Sequence, residues 1–551
     1  MIGGRCTAFR KPFRAPQCAL RRIVAVVLLA AAPAVAGTSA QDQVTRDFQK
    51  SLTLASGQSV RIDHKLGGVQ IHGESGRELK VSAVIHAQAA SRAEAEAFAD
   101  KIRIEVEQSA QEVSIRTVYP ERENSFFHFG KSTSFSVDYD ISMPSDAPLF
   151  VKNRFGGVGI SGVHARSEVD VSNGQLTLRD SGAARLTDAF GGIEVRGASD
   201  NVSITNNNGS VTVTDMKGSL EIRNRFGNTN ASNIQGGVTI AGGNGPVEIL
   251  NAGNPVAINN SFGPVVARNI RGTLAINNTN GNIDISDVTG TAALNGSFGA
   301  ISFTKVTGSV VCSATNSRVK GGTTGDNVNV QTSFGEVSLE QIDGGVDVQD
   351  TNGNVSVREV KGFAKLSTSF GSIEASGLHK GVRATTGNGR IGLSDVTGNS
   401  FAKTSFGSVK ADRINGSLTV ENSNGAVTAS AVKGELTAKT SFASAAVEDI
   451  SGQITVENAN GSVTISAARS SAPCQNISAK TSFSPIQIRL PEGAGYNVSA
   501  RTSFGRISTD LPVTASGELG GDSLNGKIGN GGCTLSLVNS NGNIEILKLS
   551  K

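Results

Sequence analysis

The chain has 551 residues with 66 glycines, no tryptophan and three tyrosines. Such a length normally means three or four domains, although a one-dimensional repeat array escapes that rule. Of its 51 basic residues, Arg5, Arg10, Lys11, Arg14, Arg21 and Arg22 lie in the first 40 positions; without them 45 basic residues face 47 acidic ones, so charge gives no ground for nucleic-acid or anionic-membrane binding.

Residues 1–40 carry those cations with no acid, then the apolar run "IVAVVLLAAAPAVA", then small residues before "QDQ". This is the pattern of an export signal, with cleavage expected near Ala36 or Ala40. No later apolar run is long enough for a transmembrane helix.

Residues 41–150 read as a small α+β module capping the first coil of a repeat array. "SLTLASGQSVRIDHKLGGVQIHG" predicts strands with a rung-like Leu66-Gly67-Gly68. "SRAEAEAFADKI" predicts a helix, with Ser91 and Glu94 in capping-box spacing. "RIEVEQ" and "EVSIRTVY" predict further strands. The aromatic-rich "YPERENSFFHFGKSTSF" holds Tyr119, Phe126, Phe127, Phe129 and Phe135, and packing between cap and first coil is its expected role.

Residues 151–470 repeat. A Phe or an Asn, usually followed by Gly, returns as Phe155, Asn173, Phe190, Asn208, Phe226, Asn244, Phe262, Asn280, Phe298, Asn316, Phe334, Asn352, Phe370, Asn388, Phe406, Asn424, Phe442 and Asn460. Every step is 18 residues except the 17 between Asn173 and Phe190, so the full repeat is a 36-residue pair of 18-residue coils. Each coil holds two short stretches alternating at period two and joined by Gly turns, as in Val337, Leu339, Ile342, Val346 and Val348. A strand so short has no hairpin partner within its own coil and must pair with the next one, about 4.8 Å away. The fold class is therefore all-β, a parallel β-solenoid. Close packing predicts that Phe and Asn form one buried structural column, large and small side chains interleaving. Three residues before the markers, Lys403, Glu421, Lys439, Glu457, Lys480 and Arg501 predict a stabilising charge ladder.

In residues 471–551 the period loosens: Phe483, Phe504 and Asn541 come at irregular intervals. The insertions "SSAPC", "LPEGAG" and "LGGDSLNGKIGNGG" are expected to protrude as loops. Cys312 sits at an inward strand position and should be a buried thiol, whereas Cys474 and Cys533, counted as three coils apart, exceed bridging distance unless the inserted loops fold toward each other, so the expectation is free thiols or only loop-mediated pairing.

Motifs for chemistry are missing. The six histidines (His64, His72, His86, His128, His164 and His379) have no metal-ligand spacing, and the chain carries neither a P-loop nor a GxSxG elbow. The acids are dispersed, so no carboxylate pair stands out for glycosidase or lyase work. The expectation is no cofactor, no metal and no catalytic residue.

The leader, the strand–helix–strand segment, the repeated NGxVxV and FGxVxV units and the terminal "LNGKIGNGGCTLSLVNSNGNIEI" together resemble the bacterial exported domain-of-unknown-function family of β-strand-repeat proteins labelled putative adhesin. The resemblance spans essentially everything after residue 40 and implies an adhesive role without supplying catalytic residues. The resulting expectation is an exported, monomeric, non-catalytic solenoid of the periplasm, cell surface or medium, whose partner is an envelope or extracellular protein or glycan. Two other readings stand beside it. One is a polysaccharide-active β-helix enzyme. The other is an ice-binding solenoid using Thr332, Thr368, Thr404, Thr440, Thr481 and Thr502.

Overall fold

The computed structural model describes residues 42–120, 134–253, 255–468, 474–516 and 520–549; the expected export signal, Phe126, Phe127, Phe129 and His128 lie outside them. From residue 149 to 466 the chain is a parallel β-solenoid of 18-residue coils, each giving one strand to each of two facing sheets. Leu418–Asn422, for example, pairs in register with Ser400–Thr404 below and Leu436–Thr440 above. Val427–Val432 pairs likewise with Val409–Asn415 and Ala445–Ile450.

Alternation explains the core. Leu418 and Val420 point inward from one sheet and Val427, Ala429 and Val432 from the other, all buried. Between Ala429 and Val432 two consecutive residues face out, because Ala431 adopts a left-handed backbone (φ 51°) that resets the alternation at the corner. The same conformation recurs every coil, as at Asn233, Asn251, Asn269, Lys305, Gln341 and Arg413.

Neither end follows chain order. Ser59–Leu66 and Val69–Glu74 form a complete coil that lies directly under Leu149–Phe155 and Val158–Ser161. The rung-like Leu66-Gly67-Gly68 is thus a true rung. Glu112–Val118 and Ser134–Pro144 cover it, and Glu78–Ala89 and Asp42–Thr53 add antiparallel strands beyond. The helix Arg92–Ala99 packs on these last two strands; its Ser91 side chain accepts from the Glu94 amide, as the sequence predicts. Phe135 stacks at 4.9 Å from Phe98 and 5.4 Å from Tyr119, inside the cap.

At the other end the last coil is threaded backwards. Cys533–Asn539 is inserted between Ile477–Thr481 and Tyr496–Thr502, while Ile544–Lys548 lies between Ile486–Leu490 and Ile507–Thr509. Two sequence expectations fail here for that one reason. Cys533 sits one coil from Cys474, not three, and the two form a disulfide with Cα atoms 5.7 Å apart. The final long insertion does not simply protrude: Ser523–Ile528 pairs antiparallel with Tyr496–Thr502 and covers the terminal edge. Cys312 is buried and free as expected, its thiol pushed up to about 12 by burial.

Candidate functional site

The feature that stands out is the corner carrying the Phe and Asn markers. They do form one column: Asn173 pairs with Phe190, Phe226 with Asn244, Asn280 with Phe298 and Asn316 with Phe334. Beyond Phe334 the backbone ladder continues through the turn, with Asn352 N donating to Ser333 O and Phe406 N to Gly387 O.

The expected burial of that column is wrong. Phe226 is 42% exposed, Phe370 61% and Phe504 83%. The corner interior is already occupied by the side chain two residues earlier. Asn422 Nδ2 donates to the carbonyls of Gly407 (2.9 Å) and Gly425 (2.8 Å), and its Oδ1 accepts from Gly425 N. Thr404 does the same with one oxygen, donating to Gly389 O and accepting from Gly407 N. The glycines keep coils this close: a Cβ on Gly371 would stand 1.7 Å from the Gly353 carbonyl oxygen. With the inward space filled, the backbone turns and the marker faces solvent.

This inward Asn/Thr column was missed by sequence reasoning, although its signal was legible as an Asn or Thr two residues before most of the markers. It also removes the ice-binding face, since Thr332, Thr368, Thr404, Thr440, Thr481 and Thr502 are all buried. Two of its positions hold acids. Burial lifts Asp188 to about 6 and raises Asp350, and each has one carboxylate oxygen with no partner.

Marker asparagines also use their amides to bond down one coil, as Asn352 Nδ2 does to Ser333 O (3.1 Å) and Asn424 Nδ2 to Ser405 O (3.1 Å). The outer surface of the corner is therefore a stripe alternating an exposed ring with a smaller amide. At the exit, sequence order runs Phe483, Phe504, Asn541, which breaks the alternation. The threaded coil restores it, because Asn539 pairs with both Thr481 and Thr502, so that Asn541 lies between the two rings and bonds to Ser482 O at 2.9 Å. From Phe155 to Phe504 the stripe runs about 100 Å at ~4.8 Å per coil. At its lower end Arg154 and Arg225 lean over Phe155 and Phe226.

Beside the stripe runs the expected charge ladder, with Lys403–Glu421 at 2.8 Å and Lys439–Glu457 at 3.7 Å. On another corner an amide ladder, Asn251 to Asn233 and Asn269 to Asn251 at 2.9 and 3.0 Å, lines a shallow groove. In the cap, His64 is buried against Thr117 and held near 4 by desolvation. His72 and His86 face Asp140 and Asp138 separately. Among the described residues no group of three or more His, Cys, Asp or Glu is placed to hold a metal ion, and no helix is long and apolar enough to cross a membrane.

No family model matches the chain, and no curated protein matches it. Among solved structures it is similar to a putative cell adhesion protein from Clostridium sporogenes. That likeness covers 37% of this chain and 99% of the other, at 12% identity and a TM-score of 0.21.

Proposed function

We propose that this protein is an exported, non-catalytic adhesive rod of the bacterial cell envelope. The observation that supports this reading is the exposed Phe/Asn stripe. Large contiguous apolar patches on a soluble surface mark contact sites, because they otherwise promote aggregation. Here the rings recur on every second coil along the whole solenoid, and the alternation is kept even where chain order breaks it. A regular two-sheet core supplies stiffness, and repetition multiplies weak contacts into avidity. In this reading the envelope or its surroundings provide the partner, and no cofactor takes part.

Protease shaving of intact cells, followed by an attachment assay, tests it. Shaving should remove the protein, and cells carrying Phe→Asn changes at Phe334, Phe370, Phe406 and Phe442 should attach less than the wild type. A protein found only inside the cytoplasm, or attachment unchanged by the four substitutions, would overturn the proposal.

A further inference from the structure

The occupant of the stripe can be specified further, on a lattice argument that goes beyond the adhesive reading and does not depend on where the protein resides. Rings on alternate coils recur at about 9.6 Å, twice the ~4.8 Å coil spacing. An extended peptide strand repeats its faces at about 6.8 Å and drifts out of step within a few coils, and a helix returns its face about every 10.5 Å and falls half a repeat behind after about ten coils, half the length of the stripe. A second copy of this chain carries the same period over the full length.

We infer that the stripe is a homophilic interface, in which two copies pair antiparallel, stripe to stripe. A two-fold axis perpendicular to the rod is compatible with the column, because pairing strand positions along it is self-complementary. With the axis placed midway between Phe334 and Asn352, every ring of one copy above Phe155 faces an Asn coil of the other. Phe334 then meets the partner's Asn352, and Phe370 the partner's Asn316. The Asn coils suit this: an amide is shorter than a ring, and at Asn352 and Asn424 it is turned down onto a backbone carbonyl, leaving room between successive rings.

The area is sufficient. Eleven exposed rings lie in the column, from 42% exposure at Phe226 to 83% at Phe504. At about 200 Å² per aromatic residue this amounts to on the order of 1,000 Å² per copy, above the ~800 Å² per partner of a standard stable interface. Arg154 and Arg225 shield only the lower rings; from Phe262 upward every ring is more than half exposed. The flanking ladder pairs Lys403 with Glu421 and Lys439 with Glu457 within each copy, so it presents no single-sign field against a second rod.

Sedimentation velocity on the purified protein at micromolar concentration tests the pairing. Twice the chain mass is expected. The variant carrying Phe334→Asn, Phe370→Asn, Phe406→Asn and Phe442→Asn should be monomeric, or dissociate at least about tenfold more readily. Its circular dichroism should be unchanged, since Asn already occupies this corner on alternate coils. A second variant, Asn352→Arg with Asn388→Arg, keeps every ring but puts charges where rings should seat, and it too should be monomeric. A wild-type monomer overturns the inference, as does a dimer that survives both variants or an open-ended assembly. So does a monomer that instead co-sediments with chitin or cellulose through the rings, an outcome that would leave the adhesive reading standing while rejecting the second copy.

Discussion

Asn422 donates its amide to the carbonyl oxygen of Gly407 at 2.9 Å, fifteen residues back and one coil down. That bond joins two coils inside their shared corner, alongside the backbone bond from Asn424 N to Ser405 O. Removing it in Asn422→Ala leaves the carbonyls of Gly407 and Gly425 and the amide of Gly425 short of a partner in a dry site. The expected cost is about 2–3 kcal/mol. Asn422→Thr should cost under about 1 kcal/mol, because Thr404 makes the equivalent contacts. Phe370→Asn, at the exposed marker, should change stability by less than about 1 kcal/mol. Urea unfolding of the three variants checks the order; a Phe370 effect larger than that of Asn422→Ala would put the ring back in the core.

The period, the two strands per coil and the 18-residue register were legible because each repeats as spacing: Val420 pairs with Ala402 and Ala438, one coil on either side. The direction of the marker was not legible from strand alternation. Asn422 and Asn424 share a parity, yet only Asn422 is inside, since the corner turns between them. Nor was the place of the last coil visible in chain order, which set Cys474 and Cys533 three coils apart and left only a loop-mediated bridge open. The trace it left was Phe504 following Phe483 with no Asn-Gly marker between them and Asn541 arriving late.

Asp188 makes stability depend on pH in an unusual direction. It occupies the inward column where Asn206 and Asn224 donate to glycine carbonyls, and burial raises it to about 6. A carboxyl with a raised folded-state value holds its proton more tightly when folded. Its contribution is therefore fully present below the ordinary value near 4 and is lost as pH rises through 6. Asp188→Asn should flatten this slope and stabilise the protein at pH 7 by about 2 kcal/mol, seen as a higher melting temperature at pH 7 but not at pH 4. An equal gain at both pH values would remove titration as the cause.

Ala431 offers a gain from backbone geometry. Its φ of 51° lies in the left-handed region, which costs a non-glycine residue about 1 kcal/mol or more. Glycine removes that strain but adds freedom to the unfolded chain. The net expectation for Ala431→Gly is a gain of about 0.5 kcal/mol, whereas Ala431→Val, β-branched at the same corner, should lose more than 1 kcal/mol, roughly. Both signs can be read from chemical denaturation midpoints, and a destabilising glycine would show that the corner is not strained.

The disulfide between Cys474 and Cys533 fastens the threaded coil. Cys533 begins the strand that slides between Ile477–Thr481 and Tyr496–Thr502, and Cys474 lies just before the first of these. The bond closes a loop of 59 residues that contains the two coils and the hairpin above the insertion. Without it, the last coil is held by its ladders, by the apolar side chains of Leu535, Leu537, Ile544 and Ile546, and by side-chain bonds such as those of Asn539 and Asn541 to Ser484 O and Ser482 O. Closing a loop of this length stabilises by roughly 2–4 kcal/mol, and that stability should reside in the C-terminal coils alone. In the unreduced protein lacking residues 1–40, which hold Cys6 and Cys18, no thiol should react before denaturation and one, Cys312, after it. Cys474→Ser with Cys533→Ser should raise hydrogen exchange in 477–548 while leaving the coils around Phe226 to Phe370 unchanged. Two or more reactive thiols in the unreduced chain, or exchange rising evenly along the rod, would show that this bond does not fasten the end.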